Sequence, residues 1–328
     1  MFSLDEYNAA KETAALIDRS TQGKIALTGS DRASFLHSLL TNDIARLTPG
    51  TGTYAAYLTP QGRMISDMRV IESGEEMLLD VEASVVEALS ARLDKLIFSE
   101  DVQVRNVTRE LAEFGVHGPS AAKALQDAMG IPAARLQSLN QHDNVRAPGS
   151  GLTVIRDDAF GVMGFDVCVP AAEAARFLDL LTKAGVVRVT EETAEVWRIE
   201  AGRPRFGVDM DTDTIPLEAG IEDRAISVTK GCYVGQEVIV RVLHRGHGRV
   251  ARKLVALRTS GDHLLSRGDV ILAGEQEIGR ITSAAFSPKM NGSMALGYVH
   301  RDYVADGTPV TVKGGGRILE ARVRQLDK

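Results

Sequence analysis

Only two cysteines occur in the 328 residues. One of them, Cys232, lies in the polar, glycine-rich stretch TKGCYVGQEV, with Lys230 two positions before it. A cysteine attacks or ligates as its thiolate, and a nearby lysine ammonium favours that form. Buried as a small apolar side chain it would be inert; exposed, it could respond to oxidants. The glycines on either side leave room for a ligand or partner backbone to come close, and this favours a functional reading. The other cysteine, Cys168, sits in the apolar run GFDVCV and reads as core. A second stretch able to do chemistry is YAAYLTPQGRMISDMRV. Pro60-Gln61-Gly62 is turn chemistry, and the strand after it carries Asp67 in an otherwise apolar-alternating run. Such a carboxylate either faces solvent or polarises a bound amine. A third, WRIEAGRPRFGVDMDTDTIPLEAGIEDRAISVTKGCYVGQE, joins a helix end to polar loops, and its Arg198 could clamp a carboxylate with two parallel bonds. The acids Asp209, Asp211 and Asp213 loosely evoke a calcium loop, but Thr214 and Gly220 stand where that loop needs glycine and acid. No metal is assigned.

These residues need elements to hold them. SVVEALSARLDKLIF has the Ser84/Glu87 spacing of a capping box and a one-sided apolar pattern. PAAEAARFLDLLTKAG opens on Pro170 and closes on Gly185, as helices do. Each follows two strand-like runs joined by a turn, RMISDMRVI with EEMLLDV and LTVIRDD with GFDVCV. A repeated β-β-α unit is expected, hence an α+β fold instead of a doubly wound parallel sheet. DRASFLHSLL and TAEVWRIEA are shorter helix candidates. After about residue 250, short β-type runs punctuated by Gly, Asp and Pro predict a small all-β barrel or sandwich. The expected division is 1–248 and 249–328.

The formal net charge is −6, which argues against chain-wide attraction to nucleic acid and makes direct binding to it an unfavoured reading. No stretch has the length of apolar residues a membrane span needs, and the N-terminus does not read as a signal peptide. A soluble, cytoplasmic protein with no membrane partner is expected. G-x-x-x-x-G-K-[ST], H-E-x-x-H and C-x-x-C are all missing, so a protein-only metal site is not expected.

The third stretch resembles the folate-binding fold of the glycine cleavage T-protein (aminomethyltransferase) superfamily. Within it, KGCYVGQE is similar to the K-G-C-[FY]-x-G-Q-E signature of the YgfZ family, folate-binding proteins linked to iron–sulfur cluster assembly and tRNA modification. The resemblance extends over most of the chain, through the C-terminal β domain. It implies that Tyr54 and Asp67 match the T-protein's tyrosine and catalytic aspartate, with Ser66-Asp67 where two acids are usual. Asp166, in FGVMGFDV, takes the place of a pteridine-binding glutamate. WRIEAG resembles R-x-E-A-G and puts Arg198 in the folate pocket, and Glu218 matches a recurrent acid. Tyr54, Phe165 or Trp197 would wall the ring, and Arg241, Arg245, Arg249, Arg252 and Lys253 could meet its anionic tail. The implied cofactor is tetrahydrofolate or a one-carbon derivative. The implied function is a folate-binding accessory protein of iron–sulfur assembly, with assembly proteins or client iron–sulfur enzymes as partners and Lys230 and Cys232 performing a family-specific step. One cysteine holds no stable cluster alone, so any cluster would be shared or transient. Two alternatives stay open: an aminomethyltransferase, and a folate sensor without chemistry.

Overall fold

The structure, a computed structural model, describes residues 3–147, 149–245, 248–259 and 263–326. Two compact units interleave along the chain. Met1–Tyr57, Ser66–Ala194 and Ser227–Tyr233 form the first, and Leu58–Ile65, Glu195–Ile226 and Val234–Lys328 the second.

Both β-β-α units form. Strands Met64–Glu72 and Met77–Val81 lead to helix Val86–Asp94, and strands Thr153–Arg156 and Gly164–Pro170 lead to helix Ala174–Lys183. Their starts differ from the sequence reading. Val85, not Ser84, occupies the N-cap and makes no side-chain cap bond; Glu87 instead accepts from the Asn106 amide at 2.8 Å. Pro170 ends its strand and caps the one-turn 3₁₀ segment Ala171–Glu173, which delays the helix. Gly185 takes φ of 78° just past the helix end, the left-handed position glycine fills cheaply.

The first sheet runs Val187–Arg188, Ala15–Asp18, Leu111–His117, Gly164–Pro170, Thr153–Arg156, Asn144–Arg146. The second runs Gly52–Leu58, Met64–Glu72, Met77–Val81, Gly23–Thr28, Gln103–Asn106. Period-two alternation sorts their side chains. Phe165, Val167 and Val169 pack with Phe114, Val116, Leu125, Phe177 and Leu181 on the helix-covered face. Cys168, on the opposite face, joins Ala26, Ile71, Leu78, Val107 and Ile155 from both sheets. Cys168 is therefore core, and burial pushes its thiol pKa up.

Six strands of the second unit close into a barrel in the order Arg252–Arg258, Gly292–His300, Gln276–Ser287, Val270–Ala273, Pro309–Gly314, Arg317–Arg324. Closure leaves no unpaired sheet edge. Its interior is apolar, with Leu257, Ile271, Ile281, Val299, Val312 and Val323 among the filling residues. A Cβ at Gly279 would overlap the Tyr298 carbonyl, so glycine is what lets those strands approach. The fold is α+β, followed by an all-β barrel, as the sequence leads one to expect. Among the described residues, no helix is long and apolar enough to cross a membrane.

Candidate functional site

Tyr54 and Asp67 stand on neighbouring strands of the second sheet. The phenol donates to Asp67 Oδ2 at 2.6 Å, a charge-assisted bond that fixes the carboxylate's direction. The Ser66 hydroxyl donates to the Asp67 carbonyl at 2.7 Å, and the Tyr54 ring stacks on His142 at 6.5 Å. Both residues are half-buried. An oriented, partly accessible carboxylate can accept a proton or polarise an amine.

Arg69 lies two residues beyond Asp67, so it shares Asp67's face of the strand. It is buried, and all five of its N–H donors are used. Nε and Nη2 go to Asp80, Nη2 also to Glu113 at 2.8 Å, and Nη1 to Asp157 at 3.2 Å and Asp166 at 2.5 Å. Lys24 Nζ is 3.0 Å from Glu113. Arg19 lies 3.5 Å from Glu113 and Asp166 and 3.6 Å from Asp157. Three cations thus face four carboxylates between the sheets.

Six of the seven members of this layer, all but Arg19, are two residues from an apolar partner in the layer's other half. The pairs are Lys24 with Ala26, Arg69 with Ile71, Asp80 with Leu78, Glu113 with Leu111, Asp157 with Ile155, and Asp166 with Cys168. That rule was the available signal for Arg69, Asp80, Glu113, Asp157 and Lys24, none of which the sequence reading singled out; Arg19, equally missed, falls outside it.

The ionisations follow from burial and neighbours. Burial raises Asp157, but Arg69 and Arg19 outweigh it and hold that carboxyl well below the usual range. At Asp80 burial wins over Arg69 and the pKa rises. Fully buried His117 has its Nε2 4.0 Å from Asp166 Oδ1 and an edge contact with Phe160 at 4.8 Å. Burial lowers its pKa despite Asp166, keeping the imidazole neutral. Gly115, opposite Asp166 in the ladder, has no room for a side chain: a Cβ would sit 2.7 Å from His117 Nε2 and 2.9 Å from Asp166 Oδ1.

Asp166 is therefore an interior charge whose Oδ2 is held by arginine; only its Oδ1 lacks a hydrogen bond. Phe165, adjacent to it, points to the opposite face and cannot wall a ring that Asp166 holds.

Cys232 is exposed and Lys230 is buried. The Lys230 ammonium donates to the carbonyls of His37 and Leu40 at 2.5 Å each and of Asn42 at 3.1 Å. His37 lies in the last turn of helix Arg32–Leu39 and Leu40 and Asn42 follow it; the helix's last carbonyls lack helical partners and its dipole favours a cation. Burial lowers the Lys230 pKa to about 8, against the pull of Asp43. Its three donors are spent, so the sequence reading of Lys230 as support for a Cys232 thiolate is corrected: no ammonium hydrogen remains for the sulfur.

Arg198 and Trp197 belong to the second unit. Arg198 also uses all five donors: on Glu195 twice, on the Arg203 carbonyl, on Asp209 at 2.7 Å and on Ser283 at 2.7 Å. No N–H is left for a ligand, which corrects its expected part in a folate pocket; it ties a helix to a loop and a barrel strand. Trp197 is buried. The acid run also separates into local contacts. Asp209 serves Arg198, Thr282 and Ser283; Asp211 accepts from Thr214; Asp213 pairs with Arg63. In the basic run, Arg252 pairs with Glu218 at 3.1 Å and lies over Tyr298, and Lys253 pairs with Glu222 at 3.2 Å. Arg241 and Arg249 are exposed, and the Arg245 side chain lies outside the described residues.

A two-sheet unit carrying an oriented carboxylate, continued into a closed barrel, defines a class seen in other proteins. The chain belongs to the glycine cleavage T-protein family: the GCVT N-terminal domain matches residues 2–230 and the glycine cleavage T-protein C-terminal barrel domain residues 252–326. An aminomethyltransferase of Geobacillus kaustophilus is 28% identical, over 97% of this chain and 88% of the relative. One of Rubrobacter xylanophilus is 29% identical, over 96% and 81%. The crystal structure of glycine cleavage system aminomethyltransferase T from Bartonella henselae superposes with a TM-score of 0.89 at 25% identity, covering 98% of this chain and 88% of that one.

Proposed function

We propose that this protein binds a reduced folate beside Asp67 and Tyr54 and serves one-carbon transfer of the aminomethyl kind for which its relatives are named. The observation that carries this is the 2.6 Å bond from the Tyr54 hydroxyl to Asp67, which presents an aimed carboxylate. Asp67 orients the attacking amine and takes up its proton as the amine bonds to a methylene carbon carried by a partner protein, while that carbon's bond to its carrier breaks and the carrier leaves with the electron pair. Tyr54 keeps the carboxylate aimed through that step. Catalysis here is positioning and electrostatics. The folate supplies the amine that accepts the one-carbon unit.

One specific observation favours a second reading, an accessory protein of the YgfZ type that supports iron–sulfur assembly in the cytoplasm. Cys232 is exposed in the KGCYVGQE turn, and a Cβ at Gly231 would meet nothing within 4 Å. Internal packing therefore does not demand glycine there, and the bare backbone leaves the approach to the thiol open to a partner.

Calorimetry of the purified chain with tetrahydrofolate tests the shared premise; absence of binding to wild type ends both readings. Deletion of the gene, rescued by wild type or Cys232→Ala, separates them. Loss of glycine cleavage flux rescued equally by both means aminomethyl transfer. Loss of a four-iron dehydratase activity rescued by wild type alone means the accessory role.

A further inference from the structure

Lys230 has no chemical task in either reading, yet it is buried and saturated. Its acceptors show what it holds. Asn42, whose carbonyl takes one ammonium hydrogen, donates its side-chain amide to the Tyr54 carbonyl at 2.8 Å and to Thr53 Oγ1 at 3.0 Å. Thr41 exchanges bonds with Ala56 at 3.0 and 2.8 Å, and Leu40 bridges to Tyr57. The 40–42 segment is thus fastened along the strand that carries Tyr54, and Tyr54 in turn holds Asp67. On the other side, Ser227 N–H donates to the Thr41 carbonyl at 3.0 Å. The segment Ser227–Lys230 is clamped at both ends, with Gly231 and exposed Cys232 immediately beyond.

We infer that Lys230 is a positioning residue that joins the Cys232 turn to the Tyr54 strand, so that occupancy at Asp67 changes the setting of Cys232. This rests on the reading of Asp67 and Tyr54 as the folate contact. An unbroken run of hydrogen bonds connects them: Lys230 to Asn42, Asn42 to the Tyr54 backbone, Tyr54 to Asp67. Removing the ammonium orphans three carbonyls at once, two of them at a helix end. The groups facing Lys230 do not replace it. His37 is kept neutral, its pKa lowered by burial and by Lys230 itself. Asp43 is 3.3 Å from His37 and 2.9 Å from Arg46, and Tyr233 offers only its ring, 5.1 Å from the ammonium.

The test is the rate of iodoacetamide alkylation at Cys232 in the full chain, located by peptide mass spectrometry, with and without saturating tetrahydrofolate. In wild type, tetrahydrofolate is expected to change the rate at least about fivefold, the low end of coupling between linked sites. Lys230→Met should abolish that response, and Lys230→Arg, which keeps charge and donors, should retain part of it. An unchanged response in Lys230→Met overturns the inference, as does wild type that binds tetrahydrofolate without any change at Cys232. Should Lys230→Met fail to fold, Asn42→Ala removes the side-chain amide that forms the next link while leaving all three carbonyls on Lys230, and a retained response there overturns it equally. If wild type binds no tetrahydrofolate, the folate reading fails by itself. The clamp is then judged without ligand: faster alkylation in Lys230→Met supports it, and equal rates refute it.

Discussion

Arg69 and Arg198 are both buried, one in each unit, and both spend all five N–H donors. Their surroundings differ. Arg198 meets two carboxylates, a hydroxyl and a carbonyl, and its Glu195 partner is partly exposed. Arg69 meets four carboxylates, and among the described residues Arg19 and Lys24 share the load. The first is a local strut with one of its two carboxylates, Glu195, partly in solvent. The second is the hub of an unbalanced layer, on the same strand face as Asp67. Full hydrogen bonding therefore does not separate a structural arginine from one built into a working region. The charge around it does.

The sharpest way to break the comparison is Arg69→Met. It leaves four interior acids facing two cations, and denaturant unfolding at pH 7.5 should show a loss of about 3–5 kcal/mol, the cost of an uncompensated buried charge. Without Arg69 the native carboxylates hold protons more tightly than in the unfolded chain. The variant's stability should therefore fall as pH rises and its deficit shrink toward pH 5. A pH-independent deficit would mean that lost packing, not charge, dominates.

Arg198→Met should cost less, about 1–3 kcal/mol by the same measurement, because its acceptors are partly neutral and partly wet. Hydrogen bonding by Arg198 overcomes the burial that raises Glu195, and the Glu195 pKa ends below its ordinary 4.5. The Arg198–Glu195 contribution is therefore present above that value and lost only as pH falls through the depressed one. Its deficit should stay flat from pH 8 to 5. If Arg198→Met proves the costlier and weakens tetrahydrofolate binding at unchanged stability, the strut reading is wrong.

A smaller effect belongs to His117. Its folded pKa lies below the ordinary 6.5, so the stability from keeping it neutral is present above pH 6.5 and lost as pH falls. The loss is at most about 1.4 kcal/mol per pH unit. Thermal melts of wild type should drop between pH 7 and 5, and His117→Gln should flatten that slope. An equal slope in the variant would assign the acid sensitivity to the carboxylates alone.

The smallest change in stability is expected for Asp67→Asn, within about 0.5 kcal/mol because the position is half-exposed and polar. The same variant should reduce the folate-dependent turnover by roughly 10²-fold or more, as loss of an oriented electrostatic group does. Full turnover in Asp67→Asn would move the site away from the Tyr54 pair.

Much of this was legible in the residues. Apolar alternation and turn chemistry located both β-β-α units and the barrel strands, because those signals are local. Asp67 stood out as a lone acid in a strand, and its bond to Tyr54 is in the structure. The glycines around Cys232 went with an exposed thiol. The starts of two helices were misread, because a capping spacing such as Ser84/Glu87 competes with partners like Asn106 that no window along the chain contains. Arg69 passed unnoticed in MISDMRVIE, where an arginine on one strand face reads equally well as solvated.

The sequence by itself determined which faces alternate, where the chain turns, which residues are chemically able, and that the C-terminal segment is built of short β-strands, since each depends on periods of two or 3.6 and on glycine and proline geometry. Only the tertiary structure decided what covers each face. It set one sheet against the other and so made Arg69, Glu113 and Asp166 members of an interior charge layer. It spent Arg198 on Glu195 and Asp209, and it turned Lys230 from a partner of Cys232 into the clamp on residues 37–42. The reason is that a hydrogen-bond donor is committed by whatever acceptors come within about 3 Å of it, and in this chain the acceptors of Lys230 are more than 180 residues away in sequence.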